Sequence, residues 1–147
     1  MAADRLNRIL VVEDSDNDLE LTIDALSEHN LANFIDIARD GEEALDYLYK
    51  RGKFESRDNG NPIVILLDLK LPRINGKEVL KIIKEDDTLK SIPVVVLTSS
   101  NEESDLISTY QNGVNAFVVK PVEFHDFVDA VKQLGVFWAL INEVPFK

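Results

Sequence analysis

The chain has 147 residues, 45% of them hydrophobic, which suits one domain with a full apolar core. Its formal net charge of -11 argues against nucleic-acid binding, which needs a basic surface to displace counterions. There is no cysteine, so disulfides and thiolate metal sites are excluded. No apolar run nears the roughly 18 residues of a membrane span, and Met1 to Arg8 lacks the apolar stretch of a signal peptide, so a cytoplasmic protein is expected.

Ile9 to Val12 reads as a strand, and it ends abruptly in Glu13 and Asp14, with Asp16 and Asp18 close behind. Ser15 is placed to cap a helix, with Asp18 in capping-box position and Leu19, Ile23 and Leu26 on one face. Phe34 to Ala38 is a weaker strand, and Gly41 precedes a helix carrying Ala44, Leu45 and Leu48. Arg51 to Asn61 is a polar loop, long for an α/β connection. Ile63 to Leu67 is the most hydrophobic strand, ended by Asp68. After LKLPRING comes a helix with Val79, Leu80, Ile82 and Ile83. Pro93 to Leu97 is a fourth strand, ended by Thr98. A helix near Glu102 to Gln111 follows, stopped by Gly113. Ala116 to Val119 is a fifth strand, ended by Lys120 and Pro121, and a last helix begins near Glu123. Strands that alternate with helices imply an α/β fold. Continuous apolar strands imply a parallel sheet covered on both faces, so a doubly wound, five-stranded sheet is expected.

In an open parallel sheet, ligands bind beyond the carboxyl ends of the strands. Those ends carry Glu13 and Asp14, then Asp68, Thr98 and Lys120. Two carboxylates about 4 Å apart repel by roughly 4 kcal/mol at an effective dielectric near 20. A divalent cation between them would reverse that sign. With oxygen ligands alone, Mg²⁺ is expected, with Mn²⁺ as a substitute, and a phosphoryl group near Asp68 suits such an ion.

The acid pair Glu13-Asp14, the segment DLKLPRINGKEVL from Asp68, LTSS with Thr98 and VKP with Lys120-Pro121 occur in order at four strand ends. Together they resemble the receiver domain of two-component response regulators, from about Arg8 to Gln133. The resemblance implies a flavodoxin-like fold and a phosphoacceptor signalling protein rather than a turnover enzyme. It makes Asp68 the acceptor, a carboxylate that forms an acyl phosphate. It gives Glu13, Asp14, Asp68 and the backbone carbonyl of Lys70 to the metal, and Lys120 and the Thr98 hydroxyl to the phosphoryl oxygens. It also implies a cis bond before Pro121 and a switch formed by Thr98 and Phe117, the latter lacking the hydroxyl of a tyrosine. A sensor histidine kinase is the implied donor. Read singly, Glu13 and Asp14 are also helix-start acids, as Asp16 and Asp18 are taken to be, Thr98 a helix cap and Lys120 a solvated lysine. His29 and His125 are expected at the surface, and Phe34 and Tyr47 in packing.

Residues 1–134 are expected to form the receiver and 135–147 an apolar extension of the last helix. Output is then expected through protein contact or onward phosphotransfer. Phe124, Phe127, Val131, Leu134, Trp138 and Ile141 recur at steps of three or four, a continuous helical stripe, with Phe137 beside it. The stripe suits either the domain's own core or a partner, and the resemblance, whose family usually self-associates through the last strand and the last two helices, implies a homodimer through that face. The tail and the loop Arg51 to Asn61 resemble single-domain regulators paired with phytochromes, which makes a phytochrome the expected kinase. Two alternatives remain. A phosphatase of the haloacid dehalogenase type needs a second aspartate two residues after its nucleophile, where this chain has Lys70. A receiver-like module that is never phosphorylated sits poorly with an intact acceptor, acid pair and lysine.

Overall fold

The five apolar runs pair edge to edge as one parallel sheet in a computed structural model that describes residues 8–27, 35–57, 60–98 and 116–134. The strands are β1 (Ile9–Val12), β2 (Ile35–Ala38), β3 (Val64–Asp68), β4 (Val94–Thr98) and β5 (Ala116–Val119), in spatial order β2-β1-β3-β4-β5. Every pairing is parallel. All residues of β1, β3 and β4 are buried, because helices cover both faces of the sheet.

Side chains alternate across a strand, so each strand feeds two cores. Leu10, Val12, Ile65, Leu67, Val94 and Val96 point to one face and pack with Ala44, Leu45 and Leu48 of α2 (Gly41–Tyr49) and Val79, Leu80 and Ile83 of α3 (Gly76–Glu85). Ile9, Val11, Val64, Leu66, Val95 and Leu97 point the other way. They meet Leu19, Ala25 and Leu26 of α1 (Asp16–Ser27) and Phe127, Ala130 and Val131 of α4 (Phe124–Leu134). The doubly wound, flavodoxin-like architecture expected from the sequence is therefore present.

Several local expectations need correction. β3 and β4 each run one residue later than the apolar pattern suggests. Asp68 pairs with Leu97 and Thr98 with Val119, so both polar residues are the last rungs of the ladder. Pro93 has no N–H to contribute and lends only its carbonyl, which accepts from Ile65 at 3.0 Å. The loop expected from Arg51 contains a turn of 3-10 helix at Gly52–Phe54. Arg57 ties the loop down: its guanidinium lies 3.9 Å from the centre of the Tyr47 ring and donates to the Tyr47 carbonyl at 2.7 Å. Tyr47 is itself buried, with its hydroxyl on Asp36, which also accepts from Arg8 at 2.8 Å.

The stripe on the last helix also changes meaning. Phe127 and Val131, expected to serve a dimer or partner, are 1% and 0% exposed in the domain's own core. The face of α4 that carries them is the face that closes the sheet, so they are not available to a second chain. Phe124 is half-buried against the same core. The expected helix near Glu102 to Gln111, His29, Phe34 and the tail residues Phe137, Trp138 and Ile141 lie outside the described residues.

Two glycines are fixed by close approach rather than by helix propensity. A Cβ on Gly41 would stand 1.8 Å from the Ile74 carbonyl oxygen. One on Gly76 would stand 2.2 Å from the Asp68 carbonyl oxygen and 2.5 Å from the Leu69 Cα. Gly76 also donates its N–H to the Leu69 carbonyl at 2.9 Å, so α3 starts directly against the end of β3. Gly76→Ala is expected to destabilise by at least about 1–3 kcal/mol, because backbone, not a mobile side chain, must move. Gly60→Ala, with nothing within 4 Å of its Cβ, serves as the neutral control. Urea unfolding of the three proteins checks this, and a Gly76→Ala midpoint equal to the parent's would contradict it.

Candidate functional site

The order β2-β1-β3-β4-β5 puts the direction change of the chain between β1 and β3, and the charged residues gather beyond the carboxyl ends of those strands. Glu13 follows β1 and continues its ladder, donating its N–H to the Ala38 carbonyl at 3.0 Å. That pairing turns its carboxylate inward, where it is 0% exposed. Asp14 faces solvent. Asp68, the last rung of β3, is 4% exposed and accepts from the Lys70 N–H at 3.1 Å. Thr98 is buried at the end of β4. Phe117, on β5, is half-buried against the core shared with α2 and α3. Lys70 is exposed.

Lys120 closes the site from the end of β5. Its N–H donates to the Thr98 carbonyl at 2.8 Å, and the bond to Pro121 is cis. Its ammonium donates to Asp18 at 3.0 Å, Asp68 at 3.2 Å and Glu13 at 3.4 Å. Three N–H groups meet three carboxylates, so the donor capacity of the ammonium is full. Burial alone would lower the pKa of Lys120. The hydrogen bond to Asp18 and the negative charges of Asp68 and Glu13 outweigh it and hold the pKa above the ordinary lysine range. Lys120 is therefore a firm cation.

One cation cannot neutralise this many acids. Glu13 shows the consequence: its pKa is pushed up from the ordinary 4.5 to about 7. Burial is the first cause, then the hydrogen bond with Asp68 and its negative charge, partly offset by Lys120 and the Ser15 N–H. Arg39 helps at the rim, donating to the Asp14 carbonyl at 3.2 Å and to the Asp16 carboxylate. It therefore fixes the backbone of the acid pair without entering the buried cluster.

Carboxylate oxygens of Glu13, Asp14 and Asp68 lie within 4.8 Å of one another. The donor set is all oxygen, two of its three carboxylates are buried, and its negative charge is only partly offset. Those features fit a hard divalent cation of the Mg²⁺ or Mn²⁺ kind, which tolerates few protein ligands and keeps water.

Sequence reasoning missed Asp18. The capping-box expectation is only half met: the Asp18 N–H donates to the Ser15 hydroxyl at 3.2 Å. The Ser15 N–H turns instead to Glu13 at 3.3 Å, which leaves the Asp18 carboxylate to Lys120. No local signal points to that role, since Lys120 stands 102 residues away. Arg39 was missed as well, and nothing in its sequence neighbourhood pointed to it. His125 is exposed, between Glu123 and Asp126. Among the described residues, no helix is long and apolar enough to cross a membrane.

Residues 9–132 match the family model described as response regulator receiver domain. The bacteriophytochrome response regulator AtBRR is 58% identical in sequence, its solved structure superposes with a TM-score of 0.88, and the match covers 93% of this chain and 98% of that one. Response regulator Rcp1 of Synechocystis sp. is 40% identical over 137 residues, 93% of this chain and 92% of Rcp1. A solved Mn²⁺-bound form of Rcp1 has a TM-score of 0.70 at 39% identity, over 90% of this chain and 94% of that one. The probable methanogenesis regulatory protein FilR2 of Methanothrix harundinacea is 39% identical over 93% of this chain and 86% of its own length.

The raised pKa of Glu13 has a definite sign in stability. A group whose folded-state pKa exceeds its unfolded value contributes stability that is full below the unfolded pKa, here about 4.5, and is lost as pH rises through about 7. Glu13→Gln removes that loss. Without divalent metal, the variant is expected to gain on the parent protein steadily between those two pH values and to hold its gain above them. Unfolding free energies of both proteins across the range provide the check, and a pH-independent difference would refute the assignment.

Proposed function

Since the chain belongs to the response regulator receiver family, we propose that it is a phosphorylation-driven signalling switch that accepts a phosphoryl group on Asp68 from a sensor histidine kinase. The observation that carries this reading is the buried Asp68 carboxylate, 3.2 Å from Lys120 and within a ligand's reach of Glu13 and Asp14. The haloacid dehalogenase alternative lacks its second aspartate, because Lys70 stands there.

In the proposed transfer, an Asp68 carboxylate oxygen attacks phosphorus. The new bond is the acyl phosphate, and the bond that breaks joins phosphorus to a nitrogen of the kinase's phosphohistidine. That nitrogen leaves with the electron pair. The chain contributes positioning and charge rather than proton transfer. β3 holds the nucleophile rigid at its last rung, and the hydrogen bond from the Lys70 N–H fixes one carboxylate oxygen, leaving the other facing Lys120. Lys120 is the cation for the transferred oxygens, and the Thr98 hydroxyl is a donor to one of them. Glu13, Asp14, Asp68 and the Lys70 carbonyl would hold the divalent ion, which when bound supplies positive charge beside the incoming phosphoryl group.

Movement of Thr98 toward that group, coupled to Phe117 on the neighbouring β5, is the proposed switch. Phe117 has no hydroxyl, so its contribution is packing alone. The kinase assignment narrows to a phytochrome on the 58% identity to a bacteriophytochrome response regulator, against 39% to FilR2. Residues 1–134 act as the receiver in this reading. With Phe127 and Val131 buried, contacts with a partner or a second copy fall to Phe124 and to the extension 135–147.

Incubation with acetyl phosphate and Mg²⁺ is expected to add one phosphoryl group, mapped to Asp68. Asp68→Asn should take up none. Equal labelling of parent and variant, with the label mapped to another residue, would remove Asp68 from the role.

A further inference from the structure

Resting on the phosphoacceptor reading, we infer that Asp18 is a positioning residue that holds Lys120 in the unphosphorylated protein and gives it up when the phosphoryl group arrives. The inference begins from donor arithmetic. The Lys120 ammonium has three N–H groups, and Asp18, Asp68 and Glu13 occupy all three. A phosphoryl oxygen on Asp68 can be served by Lys120 only if one of these bonds is released.

Burial decides which bond goes. The Glu13 side chain is 0% exposed, so water cannot take the place of the ammonium on the oxygen that faces Lys120. Asp68 carries the phosphoryl group and stays close to the lysine throughout. The Asp18 side chain is 32% exposed, and water can take the place of the ammonium there at small cost. Asp18 is the releasable partner even though its contact, at 3.0 Å, is the shortest of the three. The shape of α1 permits this, because the Asp18 N–H is held independently by the Ser15 hydroxyl. The carboxylate can let go without fraying the first turn.

Asp18 therefore competes with the phosphoryl group for Lys120. Its carboxylate keeps the lysine aimed into the site at rest and raises the barrier to committing it to the acyl phosphate. Removing the charge while keeping the shape tilts that competition toward the phosphoryl group.

The test is the second-order rate of Asp68 phosphorylation by acetyl phosphate in saturating Mg²⁺. In that reaction the Asp68 oxygen forms its bond to phosphorus as the bond to the acetate oxygen breaks, and acetate leaves with the electron pair. Asp18→Asn is expected to react roughly two- to fivefold faster, the scale of a partly exposed ion pair. Asp18→Glu, which restores a carboxylate, should return toward the parent rate. Asp24→Asn removes the same charge from α1 without removing a Lys120 contact and should react at the parent rate. A parent protein that is never labelled overturns the phosphoacceptor reading and this inference with it. A labelled parent with Asp18→Asn equal or slower overturns the inference alone. A gain shared by Asp24→Asn also overturns it, by reducing the effect to overall charge.

Discussion

Everything at the carboxyl edge of the sheet follows from an imbalance of charge. Among the described residues a single ammonium, Lys120, faces Glu13, Asp18 and Asp68, and Asp14 stands at the rim. Burial and the neighbouring charge of Asp68 make Glu13 costly to ionise, and its pKa is raised to about 7. A protein selected only for stability would place apolar side chains there. In the function proposed here, the imbalance holds a site ready for added positive charge, and then for a dianionic group that reorders the contacts of Lys120.

The fold exists to hold that imbalance steady. Three central strands, buried on both faces, end at one edge and carry their polar residues on or just beyond the last rung. Helices on both sides lock the strands in register. Gly76 lets α3 begin against the backbone of Asp68 and Leu69, so Asp68 cannot retreat from the cluster. On the far edge, Tyr47, Asp36, Arg8 and Arg57 form a linked polar group that fastens the loop after α2 to the sheet. That link reaches β2 through Asp36, which accepts from the Tyr47 hydroxyl.

Much of this was legible in the sequence because apolar runs and turn residues are local signals. Ile9 to Val12 and Ala116 to Val119 have the bounds the pattern suggests, and the positions of Glu13, Asp14, Asp68, Thr98 and Lys120 at strand ends followed from it. The failures were of another kind. The role of Asp18 depends on a contact across 102 residues, which no local pattern encodes. The stripe of Phe127 and Val131 was visible, but periodicity tells that a face is apolar and not what covers it. The one-residue shift of β3 and β4 reflects ladder pairing with neighbours, where Asp68 and Thr98 contribute backbone whatever their side chains.

The central claim is that Glu13, Asp14 and Asp68 form a cation site whose filling relieves the imbalance. Its most direct test is the unfolding free energy as a function of Mg²⁺ concentration. The account predicts a rise by mass action, about 2.7 kcal/mol at a hundred times the dissociation constant. In Asp14→Asn the rise should vanish, while the metal-free variant is at least as stable as the parent. A parent protein whose stability is indifferent to Mg²⁺ throughout the millimolar range would contradict it.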